Sequence, residues 1–269
     1  MEKYSRGQRI GVITKKLIEN PNKVIGLNYF TERLNAAKST TSEDIVIIKD
    51  TFKSLNLGKV ETVAGASGGV KYVCSVTDEM REEFVSKLCK VLGEKERVII
   101  GDFLYMTDIL YDPDIISKAG HILASIFIEK DIDYVVTVET KGIPLAYEVA
   151  KMLGVKLVIV RRDNKVTEGT TVSINYVSGS SKRIQSMSLS KKSLNAKSNC
   201  LFIDDFMKAG GTAKGIADLI KEFDCNLIGT GVLIDNVESS EKIVDNYISL
   251  IKYYGIDNNV MAILKPSII

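Results

Sequence analysis

Residues 200–212 read Cys-Leu-Phe-Ile-Asp-Asp-Phe-Met-Lys-Ala-Gly-Gly-Thr. An apolar run from Cys200 to Ile203 reaches two adjacent carboxylates, Asp204 and Asp205. A short loop with Gly210 and Gly211 follows, then a helical pattern from Thr212 to Phe223. Strand, acidic pair, glycine loop and helix in that order form one unit of an open α/β sheet, whose ligands sit at the carboxyl ends of the strands. The chemistry suits a phosphorylated sugar. Carboxylates accept hydrogen bonds from neighbouring ribose hydroxyls, and glycines let N–H groups close around a phosphate at the positive end of the helix.

The chain before and after this stretch keeps the same rhythm. Helical patterns cover 77–92, 112–129 (with Pro113 in the first turn) and 143–153, and Val98–Ile100 is strand-like. Ile132–Val138, Lys156–Val160 and Asn226–Leu233 are the nearly continuous apolar runs of buried parallel strands. The alternation predicts a parallel sheet with helices on both faces. The loops Glu139–Gly142, Arg161–Arg162 and Asp204–Thr212 then leave one edge. Residues 162–192 differ in character, being rich in Ser, Thr, Asn and Gly, with weak β-prone runs at Thr171–Val177 and Ile184–Leu189. A mobile hairpin over the ligand site and an ordinary surface excursion both fit this segment.

The first seventy-four residues follow another plan. They carry 12 Lys and Arg against 7 Asp and Glu, whereas residues 75–269 carry 24 against 27. Apolar spacing predicts helices over 6–19, 27–36 and 43–55, the last N-capped by Ser42. Two β-prone runs, Gly58–Val63 and Val70–Ser75, follow as a hairpin with a glycine-rich tip. Three helices, a hairpin and a basic excess match a winged helix-turn-helix, the third helix entering the DNA major groove and the hairpin touching the backbone or minor groove. Candidate DNA contacts are Arg6, Arg9, Lys38, Ser39, Thr40, Thr41, Ser42 and Lys71. A three-helix packing or dimerisation module without DNA remains the alternative.

At 269 residues and 45% hydrophobic composition the chain can bury two cores. No apolar run approaches the ~18–20 residues needed to span a bilayer, and the first residues lack the apolar core of a signal peptide. A cytoplasmic protein is expected. Cys74, Cys89, Cys200 and Cys225 show no metal-finger spacing and are expected to be reduced, buried thiols; no metal site is expected from the protein alone. His121, the single histidine, lies in an amphipathic helical stretch and is read as structural.

The stretch IDDFMKAGGT (203–212) resembles the phosphoribosyl pyrophosphate (PRPP) loop of type I phosphoribosyltransferases. Nearly end to end, the chain resembles the purine operon repressor family of Gram-positive bacteria. TTSEDIVIIKDTF (40–52), GASGGVKYV (65–73), TKGIPLAY (140–147) and RRDNKVTEGTTVSINYVSGSS (161–181) carry the likeness. The resemblance implies an α/β chain: an N-terminal winged helix-turn-helix over 1–74, then a type I phosphoribosyltransferase-like parallel-sheet domain over 75–269 that senses PRPP. It implies that Asp204 and Asp205 bind the ribose hydroxyls, one of them through a metal-bound water. Lys208, Ala209, Gly210, Gly211 and Thr212 would cradle the 5′-phosphate. Enzymes of this fold carry Thr or Ser where Ala209 stands, so one hydroxyl contact is absent here. Glu139, Thr140, Lys141 and Gly142 resemble the pyrophosphate loop, with Arg161 and Arg162 adding charge. Phe103 and Phe206 would flank a purine ring or pack in the core.

No second base-recognition segment is evident, and Asp163 and Glu168 are the only carboxylates of the 162–192 loop. The family resemblance implies a homodimeric, non-enzymatic repressor of purine genes. It would be released from operator DNA by PRPP, with or without Mg2+, and guanosine tetraphosphate (ppGpp) would compete for the same pocket. The rivals are an active purine phosphoribosyltransferase with an appended domain and a PRPP-binding interaction protein without DNA activity.

Overall fold

The computed structural model describes residues 4–65, 68–99, 103–163, 169–177, 184–238, 242–257 and 261–267. The chain divides into two compact units, Met1–Thr77 with Lys151–Gly154, and Asp78–Ala150 with Val155–Ile269.

In the first unit, α1 (Arg6–Ile18) opens on a reciprocal cap, in which Ser5 Oγ accepts from Gln8 N and the Gln8 side chain accepts from Ser5 N. Helices α2 (Leu27–Leu34) and α3 (Lys38–Ser54) follow, then the antiparallel pair β1 (Lys59–Val63) and β2 (Gly69–Val73). Ile13, Leu17, Phe30, Leu34, Ile48, Phe52, Val60 and Val70 make one core. Ile25 bridges to Val70 and adds a short third rung beside the hairpin. Gly69 is required at that crossing, because a Cβ there would collide with the Ile25 carbonyl. The helix–helix–helix–hairpin plan agrees with the expected winged helix. The start of α3 does not. It begins at Lys38 behind Ala37, and Ser42 is an interior residue whose Oγ donates to the Lys38 carbonyl. Ser and Thr bond back to the preceding turn inside a helix as readily as they cap one, so the Ser42 cap is corrected.

The second unit is built on a six-stranded sheet ordered β12-β11-β10-β9-β5-β6, from β5 (Tyr134–Val138), β6 (Lys156–Val160), β9 (Asn199–Met207), β10 (Asn226–Asn236), β11 (Ile248–Asp257) and β12 (Met261–Pro266). All neighbours are parallel except the antiparallel edge strand β12. β5 is buried along its whole length, as its apolar run predicts. Helices α6 (Pro113–Phe127) and α7 (Ile143–Leu153) meet where a Cβ on Gly120 would stand 2.5 Å from Glu148 Cβ. Phe127 of α6 packs on the bare glycines Gly229 and Gly231 of β10. Ile216, Leu219 and Ile220 of α8 (Gly211–Lys221) join Val136, Val138 and Phe202 in another core. The remaining elements are α4 (Asp78–Leu92), the short pair β3 (Val98–Ile99) and β4 (Phe103–Leu104), and α5 (Thr107–Leu110). No described helix is long and apolar enough to cross a membrane.

The 162–192 segment contains the hairpin β7 (Thr171–Val177) and β8 (Ile184–Ser190). Its Tyr176, Met187 and Leu189 are buried, and Gly215 of α8 lies against Met187 and Tyr176. The described part is therefore a packed layer on α8. Glu168 lies outside the described residues.

Candidate functional site

The parallel strands, taken in chain order, are arranged 2-1-3-4-5, so the connection reverses direction between β5 and β9. That reversal is where an open α/β sheet leaves a crevice. Here the opening is visible in the register. Pairing of β5 with β9 stops at Val136↔Phe202, while β5 stays with β6 to Val138↔Val160 and β9 stays with β10 to Met207↔Asp235. The two strands splay, and a cavity of about 970 Å³ lies at their carboxyl ends.

Asp204 and Asp205 stand on this splayed part of β9, which runs four residues beyond the apolar stretch that signals it. Pairing with β10 keeps this acidic segment extended. Asp204 Oδ1 accepts from Asp205 N at 2.9 Å. Burial, and then the Asp205 carboxylate beside it, push the Asp204 carboxyl well above the usual carboxylate range; Arg162 pulls the other way. Such a carboxyl is poorly solvated while it waits, and hydroxyl donors would relieve it.

The loop Lys208–Gly210 leads into α8, and Lys208, Ala209, Gly210, Gly211 and Thr212 all line the cavity. Gly210 has φ +90°, a backbone conformation that favours glycine. The first helical bond of α8 runs from Lys214 N to Gly210 O, so the N–H groups of Gly211, Thr212 and Ala213 have no partner within the helix. With the helix dipole behind them, they make an anion seat.

From the turn after β5 come Glu139, Thr140 and Lys141, and from just past β6 comes Arg162; all four line the cavity, and the Glu139–Thr140 peptide is cis. Glu139 accepts from Arg161 Nη1 at 3.0 Å and from Arg162 N at 2.7 Å. Its charge is thus spent on holding the β6 loop, and Lys141 and Arg162 join Lys208 as the cations that line the cavity. Two expected contacts are corrected. Arg161 does not line the cavity, because its guanidinium is engaged by Glu139. Gly142 lies behind the cavity wall, where a Cβ would stand 2.6 Å from Asp204 Oδ1 and 2.9 Å from Thr137 Oγ1. It lets the α7 turn close on Asp204.

Phe103 and Phe206 also line the cavity, joined by Leu104, Met106, Tyr253 and Ile256. The Phe206 and Tyr253 rings stand 6.4 Å apart at 58°. Sequence reasoning missed Asn236, Glu238, Tyr253 and Ile256, which come from strand ends the motif does not contain. Among the described residues no cluster of three or more His, Cys, Asp or Glu could hold a metal ion. His121 lies within α6 and away from the cavity. All four cysteines are buried, and burial pushes Cys74 and Cys200 up to about 12 and Cys89 to about 11.

In the first unit, Lys38, Ser39 and Ser42 are exposed at the start of α3, Thr40 is half-buried, and Arg6 is exposed beside Glu43. Two proposed DNA contacts are corrected. Arg9 is buried, its Nε donating at 2.6 Å to Asp44, whose carboxylate is fully enclosed. Thr41 is buried, its hydroxyl donating to the Ala37 carbonyl. Arg9 ties α1 to α3, and Thr41 bonds back within the first turn of α3; neither faces outward. Lys71 is mostly covered, with Glu61 at 3.6 Å and Asn22 at 3.4 Å.

Comparison with known proteins agrees with this division. Residues 5–74 match the family described as "Bacterial purine repressor, N-terminal", and residues 106–263 match the phosphoribosyl transferase domain. The chain is 51% identical to the purine biosynthesis transcriptional repressor PurR of Bacillus subtilis, over 93% of this chain and 87% of that one. It is 43% identical to the purine biosynthesis transcriptional activator PurR of Lactococcus lactis, over 94% and 93%. Among solved structures, adenine phosphoribosyltransferase from Thermoanaerobacter pseudethanolicus superposes with a TM-score of 0.54 at 21% identity, over 62% of this chain and 99% of that one. That likeness speaks to the fold alone.

Proposed function

We propose that this chain, which belongs to the bacterial purine repressor (PurR) family, is a regulator of purine-gene transcription that binds operator DNA through its first unit and PRPP through the cavity of its second. The observation that carries the ligand is the meeting of an acidic pair and an anion seat at one splayed strand junction. A ribose 5-phosphate spans such a site, its hydroxyls on Asp204 and Asp205 and its phosphate over Lys208–Thr212. The pyrophosphate of PRPP then falls beside Thr140, Lys141 and Arg162. Magnesium, if carried in, suits the same place, because it binds chiefly through ligand phosphates with one or two carboxylates. Asp204 and Asp205 supply those carboxylates.

Relatives that match more than nine-tenths of this chain and are described as transcription regulators support a sensing rather than a transferring role. PRPP is the inducer in this reading: it releases the repressor by binding the free state better than the DNA-bound state. A second ligand is favoured by the aromatic residues in the cavity lining. Phe103, Phe206 and Tyr253 fit a purine ring, and a guanine nucleotide carrying several phosphates, such as ppGpp, would occupy the same volume and exclude PRPP. A homodimer suits paired half-sites on operator DNA.

The test is operator binding across a salt series with and without PRPP, alongside a phosphoribosyl-transfer assay with purine bases. The expected result is a steep salt slope, weaker DNA binding with PRPP and no nucleotide formed. Robust nucleotide synthesis, or operator affinity indifferent to PRPP, overturns the reading.

A further inference from the structure

The anion seat is held from behind by a strap that the phosphate motif does not contain. Lys242, in the connection between β10 and β11, places its ammonium among backbone carbonyls. It donates to Asn236 O at 2.8 Å, to Met207 O at 3.4 Å and to Lys208 O, and it is ion-paired with Asp235 at 2.6 Å. The next residue continues the grip, Ile243 N donating to Ala209 O at 3.0 Å. The third fills the space beyond, Val244 Cγ2 lying 2.6 Å from where a Cβ on Gly210 would stand.

A trans peptide is planar, with its C=O and N–H pointing in opposite directions. The carbonyls of Met207, Lys208 and Ala209 all turn toward the strap. The N–H groups of Lys208, Ala209 and Gly210 therefore turn away from it, on the side where these residues line the cavity. Three successive amides presented to one side form an anion-binding concavity. A lone loop would not hold this arrangement, since each carbonyl competes for water and each peptide can flip. Lys242 offers several donors at one point, so it can satisfy more than one carbonyl at once. Asp235, only 5% exposed at its side chain, keeps that ammonium in place.

We infer that Lys242, anchored by Asp235, is a positioning residue that sets the Lys208–Gly210 amides for the 5′-phosphate of the ligand without touching the ligand itself. The inference rests on the reading of the cavity as a site for a phosphorylated ribose. It assigns control of that site to a residue distant in sequence from the motif.

The experiment is calorimetric titration of ribose 5-phosphate and PRPP into the full chain, K242M, the double variant D235N/K242M, and K242C before and after aminoethylation with 2-bromoethylamine. The natural cysteines are buried, so alkylation falls on the new thiol. The double variant removes both charges and keeps the test open if K242M leaves Asp235 unpaired and the fold fails. Both ligands are expected to bind at least about tenfold more weakly to K242M, to the double variant and to K242C. Aminoethylation of K242C should restore most of the loss, because it rebuilds the ammonium at nearly the same length; K242M, which keeps a stem of similar bulk without the charge, separates this from packing, since a position needed only for packing would tolerate it. A folded K242M or double variant that binds ribose 5-phosphate as tightly as the unaltered chain overturns the inference, as does an aminoethylated K242C that regains nothing. Failure of the unaltered chain to bind either ligand overturns the functional reading, and this inference with it.

Discussion

Asp204 carries a cost that its neighbours relieve only in part. Burial and Asp205 raise its pKa, so the folded chain keeps a proton that the unfolded chain releases in the ordinary carboxylate range. Below that range both states are protonated and nothing is lost. As pH climbs through it, stability falls. Asp204→Asn should therefore melt higher than the unaltered chain at pH 7, by about 3 °C, and the gap should close as pH approaches 4. Paired thermal melts at the two pH values check this, and a gap that widens on acidification would contradict it. Single residues were unevenly legible. Asp204, Asp205 and Lys208–Thr212 line the cavity as their motif implies, because the chemistry lies in contiguous sequence. Arg9 and Thr41 looked like surface contacts because polarity in a helix does not reveal which face it occupies. Asp44, thirty-five residues from Arg9, decides that it is inward.

A strand buried on both faces announces itself. β5 was readable for that reason, and β6, although it stands at a sheet edge, because Leu157–Val160 is an unbroken apolar run. β11 and β12 were not anticipated. In β11 the register shifts between Tyr253 and Ile256 beside Gly255, at φ +89°, which breaks the two-residue alternation. β12 is an edge strand and largely exposed. The same consideration applies to the winged unit. Its core is small, so Phe30→Ala should cost about 3–5 kcal/mol and abolish operator binding through unfolding, seen as lost helicity at 25 °C. Lys38→Ala removes an exposed cation at the start of α3 and should leave helicity intact. It should weaken operator binding and lower the salt slope by about 1, measured by titration at three or more salt concentrations. An unchanged slope would place the DNA elsewhere.

At the scale of the molecule, the proposed function divides the work between the two units, and a substitution in one should spare the other's primary function. Asp204→Ala is expected to leave operator affinity within about twofold while abolishing its response to PRPP. Anisotropy titrations with and without PRPP read both quantities, and loss of DNA binding in a folded variant would argue against separable roles. The boundary of the second unit carries a practical consequence. Its first helix, α4, packs on its last strands, β12 above all, with Gly93 just past that helix facing the Ala262 carbonyl. The phosphoribosyl transferase match begins only at residue 106, and a fragment cut there would discard α4 and strip the cover from the sheet edge. A fragment made to test the proposed PRPP site by fluorescence should therefore start near Asp78 and run through Pro266, with its fluorophore placed away from both ends.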